Sequence, residues 1–210
     1  MMQRRLFLTA LLASGLLQAC GKKAVYPPIA PGSPVLAFGD SVTFGTGASA
    51  GEDWPAVLAR QTGWKIHNAG IPGDTTEAGK TRIQEMLDLA TPAMVIVEMG
   101  GNDFLRRRPP KMVKEDLRAI IRSIKRSGAQ IVLVAVPELS LLSMVARKPS
   151  DSPIYKELAA EENIPLISDV FSDILAQPAL CADQIHPNAK GYEVMAGEFL
   201  NALRKFGLSR

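Results

Sequence analysis

Short, unbroken apolar runs alternate along this chain with longer stretches of helical period. Residues 35–38, Val-Leu-Ala-Phe, carry no polar side chain and end on Gly39, the pattern of a strand covered on both faces. Comparable runs stand at 94–97, 131–136 and 165–167, with a weaker one at 64–67. Between them, Val113, Leu117, Ile120, Ile121 and Ile124 fall at i, i+4, i+7, i+8 and i+11, one stripe of a helix that stops at Gly128. Further helices are predicted over 54–61, 75–89, 152–162 and 188–205. Strands alternating with helices predict an α/β fold: a single-domain, flavodoxin-like three-layer α/β/α sandwich around a five-stranded parallel sheet with right-handed crossovers. No internal repeat or low-complexity segment interrupts the pattern.

The first twenty residues break it. Arg4 and Arg5 precede an apolar run from Leu6 to Leu17, followed by Gln18-Ala19-Cys20. That run is shorter than the ~20 apolar residues a membrane-spanning helix needs, but it suits the apolar region of a signal peptide. Leu17-Gln18-Ala19-Cys20 resembles a bacterial lipobox, which implies residues 1–19 as a lipoprotein-type signal peptide and Cys20 as the lipidated first residue of an exported, membrane-anchored protein of the cell envelope. Arg4-Arg5-Leu6-Phe7-Leu8 also resembles a twin-arginine signal, although ordinary secretion needs only the charge. Residues 20–34, with Pro27, Pro28, Pro31 and Pro34, read as a tether that stays extended. The folded domain is then 35–210.

Composition narrows the classes. At 210 residues, 47% hydrophobic and 21% charged, the chain fits one domain with a real core. The net charge of +3 comes largely from the leader, since residues 20–210 carry 22 basic against 21 acidic side chains. Nothing global points to nucleic acid. If Cys20 is acylated, Cys181 has no partner and reads as a small buried hydrophobe rather than a reactive thiol.

Two polar segments carry the chemistry. Gly39-Asp40-Ser41 follows the first strand, and Asp183-Gln184-Ile185-His186-Pro187 precedes the last helix. A serine hydroxyl needs a neighbouring base to become a nucleophile, and the base needs a third group to fix its tautomer. His67 lies inside a strand-like segment, so His186 in its polar loop is the base candidate. Asp183, three residues earlier, can reach one imidazole nitrogen within a single turn and leave the other facing Ser41. A metal site on Asp183 and His186 lacks further ligands. Oxyanion donors are expected from the glycine-rich Asn68–Thr75 segment, where Gly73 lets substrate approach the main chain, and from the Asn102 amide after the third strand. In open α/β sheets these segments meet at the carboxyl edge.

Taken in order, Gly39-Asp40-Ser41, Gly73 within 68–75, Asn102 within Gly100-Gly101-Asn102-Asp103, and Asp183 with His186 resemble the four signature blocks of the SGNH (GDSL) hydrolases. Trp54-Pro55, Gly73-Asp74-Thr75 and residues 97–103 are most similar to the bacterial branch of arylesterases, acyl thioesterases and lysophospholipases. The resemblance implies Ser41 as nucleophile, His186 as general base and acid, and Asp183 as orienter. It implies an oxyanion hole from the Ser41 and Gly73 N–H groups with the Asn102 side chain, and no metal or organic cofactor. The elbow Gly-x-Ser-x-Gly of the α/β-hydrolases is absent, because Val42-Thr43 follow Ser41.

The implied activity is hydrolysis of carboxylic esters or thioesters of small acyl substrates through an acyl-enzyme. Two other classes fit the same sequence: an O-acetyl esterase or acetyltransferase acting on envelope polysaccharide, and a non-catalytic surface lipoprotein. Residues 137–148, rich in Leu and Met, read either as an acyl-pocket wall or as a core-packed helix. Arg106, Arg107, Arg108, Lys111 and Lys114 read as a solvated face or as a cationic patch for anionic head groups.

Overall fold

The computed structural model describes residues 26–138 and 149–210. Its centre is a five-stranded, fully parallel sheet of β1 (Pro34–Gly39), β2 (Lys65–Gly70), β3 (Met94–Glu98), β4 (Gln130–Val134) and β5 (Leu166–Ile167), in the order β2-β1-β3-β4-β5. β1 and β3 lie inside the sheet, and every residue of β3 and all but the first of β1 are buried. This is why those runs are apolar without alternation. β2 is an edge strand that exposes Lys65, His67 and Asn68, which explains its weaker apolar signal and leaves His67 away from any catalytic role.

The helices are α1 (Ser41–Phe44), α2 (Trp54–Thr62), α3 (Thr76–Ala90), α4 (Gly101–Leu105), α5 (Pro110–Ser127), α6 (Pro153–Glu162), α7 (Val170–Leu175) and α8 (Ala189–Phe206). α5 packs against α3 and α6, while α2 packs against α8, giving helical layers on both sides of the sheet. The stripe from Val113 to Ile124 is fully buried. The five helices expected from periodicity are α2, α3, α5, α6 and α8. α1, α4 and α7 have four to six residues, too short to complete a periodic stripe, and the sequence reading did not find them. Residues 135 and 136, expected in the fourth strand, are buried but lie beyond its ladder. Most of the segment 137–148, read as an acyl-pocket wall or as a core-packed helix, falls outside the described residues, at 139–148.

Every strand points the same way, so the sheet has two chemically distinct edges. At the amino edge, residues 26–34 are held down. Ile29 N–H donates to Leu208 O at 2.9 Å, Gly32 N–H to Gly63 O at 2.8 Å, Trp64 Nε1 to Ile29 O at 3.2 Å and Gln130 Nε2 to Pro27 O at 2.8 Å. Ile29 is buried in the core. Packing thus begins before residue 35: the prolines lack donors, but their carbonyls accept and the intervening Ile and Gly donate.

Candidate active site

At the carboxyl edge, β1 ends on Gly39 and the chain turns into α1 at Ser41. The turn is tight because a Cβ at Gly39 would sit 2.5 Å from Glu98 O and closer still to Thr43 Oγ1. Asp40 caps α1, its Oδ1 accepting from Val42 N–H at 3.0 Å, and so fixes the start of the helix that bears Ser41.

His186 arrives from the other end of the chain. Its loop is pinned by Ala182 N–H donating to His186 O at 2.9 Å and by Asn188, which caps α8 by accepting from Gly191 N–H at 3.0 Å. Tyr192 of α8 donates to Thr46 O at 2.8 Å, tying this helix to the segment after α1. His186 Nε2 lies 2.9 Å from Ser41 Oγ, and Nδ1 lies 2.7 Å from Asp183 Oδ2. The other Asp183 oxygen accepts from the N–H groups of Ile185 and His186, each at 2.8 Å. Partial burial pushes this carboxyl up, but the hydrogen bonds from His186 and Ile185 outweigh it and hold Asp183 below the ordinary carboxylate range. Ser41, His186 and Asp183 therefore form one continuous hydrogen-bonded chain, the arrangement that can deprotonate a hydroxyl.

Gly73 and Asn102 come to the same place. Gly73 follows β2 with a φ of 80°, and the space where a Cβ would stand is empty. Among the described residues, neither Ser41 N–H nor Gly73 N–H has an acceptor. Asn102 Nδ2 donates to Asp74 O at 2.9 Å and to Asp40 Oδ2 at 3.2 Å. Donation to an oxyanion therefore exchanges one of these, and the bond to Asp40 is the longer.

Beneath Ser41 lie two buried carboxyls. Burial pushes Asp40 up to about 6, against the opposing effects of Val42 N–H and His186. Glu98 at the end of β3 accepts from Thr43 Oγ1 at 2.8 Å, while its Oε1 has no partner among the described residues. Burial and the nearby Asp40 raise its carboxyl well above the ordinary range. A cleft at Ser41 and His186 has an apolar wall of Val42, Leu105, Phe171 and Ile185. The wall suits the hydrocarbon of an acyl group.

Several positioning residues had no sequence signal. Arg82 donates to Asp74 Oδ2 at 2.7 Å and to Gly39 O at 2.9 Å, with its guanidinium 4.0 Å from the Phe38 ring centroid. It bridges the segments before Ser41 and after Gly73. Asp103, fully buried, accepts from Thr76 N–H, Thr76 Oγ1 and Arg108 Nη1, each at 2.9 Å. Tyr155 donates to Met99 O at 2.7 Å under the Gly100-Gly101 turn. Of the five cations read as a possible patch, Arg108 is committed to Asp103 and Asp116, Lys114 to Glu157 and Glu161, and Arg106 to Gly73 O. Cys181 is half-buried with Sγ near Ile174 O and Gln177 O; burial and Asp183 raise its thiol, the reverse of a reactive thiolate.

This fold and this site define a serine-dependent acyl hydrolase. The chain belongs to the GDSL-like Lipase/Acylhydrolase family, whose model matches residues 37–194, and it is an ester-bond hydrolase. It is 34% identical over 159 residues to the thioesterase 1/protease 1/lysophospholipase L1 of Escherichia coli K12, covering 73% of this chain and 75% of that protein. It is 31% identical over 161 residues to an arylesterase of Vibrio mimicus, covering 73% and 79%. Among solved structures, the SGNH-hydrolase family esterase AlinE4 superposes with a TM-score of 0.64 at 31% identity, over 84% of this chain and 97% of that one. The psychrotrophic esterase EstA of Pseudoalteromonas sp. shares the fold at a TM-score of 0.70 and 24% identity, over 82% and 97%.

Proposed function

We propose that Ser41 is the nucleophile, His186 the general base and acid, and Asp183 the orienter of a hydrolase acting on carboxylic esters or thioesters of acyl groups. The observation that carries this reading is the unbroken hydrogen-bonded chain from Ser41 Oγ through His186 to Asp183. Ser41 Oγ attacks the acyl carbonyl as its proton passes to His186 Nε2. The oxyanion is received by the N–H groups of Ser41 and Gly73 and by Asn102 Nδ2. His186 then gives the proton to the departing alkoxide or thiolate, leaving an acyl-Ser41 ester. Water, deprotonated by His186, attacks that ester, and the returning proton regenerates the serine as the carboxylic acid leaves. Asp183 stabilises the imidazolium in both halves without being protonated itself.

The relatives' thioesterase, lysophospholipase and arylesterase activities support acyl esters and thioesters as the substrate class. At the chain's start, residues 1–19 act as a signal peptide, and Cys20 carries the lipid that anchors the exported domain to a membrane of the cell envelope. No helix among the described residues is long and apolar enough to cross a membrane.

Two variants test the site. Ser41→Ala abolishes hydrolysis of a chromogenic short-chain ester and labelling by a fluorophosphonate probe while the circular dichroism spectrum is unchanged; retained labelling would move the nucleophile elsewhere. Asn102→Ala lowers kcat ~10² to 10³-fold, the loss expected for one oxyanion donor, with labelling slowed rather than lost.

A further inference from the structure

The anchored end of the domain and the reactive serine lie at opposite edges of the sheet. Among the described residues, the hydrogen bonds from residues 26–34 to the rest of the domain go to groups at the amino edge. Tyr26 Oη donates to Asn163 O just before β5, Pro27 O accepts from Gln130 at the start of β4, and Gly32 N–H donates to Gly63 O just before β2. Ala93 N–H, just before β3, donates to Pro34 O, and Ile29 N–H reaches Leu208 O, past the end of α8. Ser41, Gly73 and Asn102 all follow the carboxyl ends of their strands. β1 itself separates the two, six residues from Pro34 to Gly39, or about 20 Å at a strand's rise.

Cys20 precedes Tyr26 by six peptide steps, which span at most about 20 Å when fully extended. A domain of this size is about 40 Å across. To set Ser41 against the bilayer that holds Cys20, the domain has to invert, lifting Tyr26 to its far side. The leash is shorter than that climb.

We propose that the lipidated protein presents its active site away from its own membrane, so that its substrates are acyl esters in solution or on a facing surface, and not the lipids of the bilayer that anchors it. This rests on the proposed roles of Cys20 and Ser41. The pinned residues are essential to it, because a tether free from 20 to 34 would more than double the reach.

The test attaches the Cys181→Ser protein to vesicles by coupling Cys20 to a maleimide phospholipid, so the geometry is probed whether or not the cell acylates that residue. A second form carries thirty Gly/Ser residues inserted after Cys20. The probes are a soluble chromogenic ester and a fluorogenic acyl ester fixed in the bilayer by a two-chain phospholipid, placed either in the same vesicles or in a second population. Both forms should hydrolyse the soluble ester equally. On the same-vesicle ester the native leash should be roughly tenfold or more slower than the long one, because a linker that fails to span gives almost no effective concentration. On second-population vesicles the two should be alike. Equal same-vesicle rates for both leashes would overturn the proposal. Inactivity of both forms on the soluble ester would sink the catalytic reading instead, and absence of a lipid on Cys20 of the cellular protein, read by mass spectrometry, would remove the anchor on which the orientation depends.

Discussion

Asp40 shows how one side chain can serve the site and burden the fold. Its carboxylate caps α1 through Val42 and accepts from Asn102 while buried beside Glu98. Unfolded, it ionises near its ordinary 3.8; folded, it keeps its proton to about 6. Over that interval the native state binds more protons than the unfolded chain, so it loses stability as pH rises from about 4 to about 6. Asn is an equally good cap and does not titrate. Asp40→Asn should therefore gain melting temperature relative to the parent as pH is raised from 4 to 7, and show no gain at pH 4 or below. Parallel melting curves for the two proteins across that range would mean Asp40 ionises normally. The proposed nucleophile was legible in the sequence because Gly39-Asp40-Ser41 is a local pattern after a strong strand. The raised carboxyl of Asp40 was not, since it is created by burial and by the nearby Asp74, which only the folded sheet brings about.

Between elements, the site is held by contacts that cross from one strand's loop to the next. α4 and Arg106 just after it reach the start of α3 and the loop ahead of it: Asn102 donates to Asp74 O, Arg106 donates to Gly73 O, and Asp103 accepts from Thr76 N–H. Arg82 of α3 reaches both Asp74 and Gly39 O with one planar fork, so it sets the spacing between the two proposed backbone oxyanion donors. A lysine keeps a charge for Asp74 but gathers its donors on one nitrogen and lacks the fork that spans both acceptors. Arg82→Lys should lower kcat roughly ten- to a hundredfold, as small misplacements of reacting groups do, with KM changed by less than about twofold and the fold retained. A rise in KM at constant kcat would assign Arg82 to substrate binding instead. The long helices and buried strands could be read from periodicity because burial itself writes the period. Short helices such as α4 carry no full stripe, and the weak β2 run reflects an edge strand. Arg82 lacked any sequence signal because its partners, Asp74 and Gly39 O, lie outside its own helix.

At the scale of the molecule, the parallel sheet carries the serine–histidine–aspartate chain at one edge and the packed residues 26–34, next to the proposed anchor, at the other, and the two should respond separately to change. Ile29 is buried, and its carbonyl accepts from the buried Trp64 Nε1. The composition of this stretch, rich in proline, suggested a free tether because proline cannot join a ladder, yet hydrogen bonds through its carbonyl and N–H groups hold it without one. Removing residues 26–33 exposes the surface under Ile29 and leaves the indole N–H without its acceptor. Losing one buried aliphatic side chain and one buried hydrogen bond costs about 3 kcal/mol together, or a fall of roughly 6–12 °C in melting temperature for a domain of this size. A chain starting at Tyr26 should melt with the longer protein, and one starting at Pro34 should melt lower by that interval. The kcat of the shorter chain on a soluble ester, measured well below its melting point, should stay within about twofold of the parent, since no removed contact touches the carboxyl edge. If kcat fell in step with stability, the two edges would be coupled through the sheet, and the separation of anchorage from catalysis would fail.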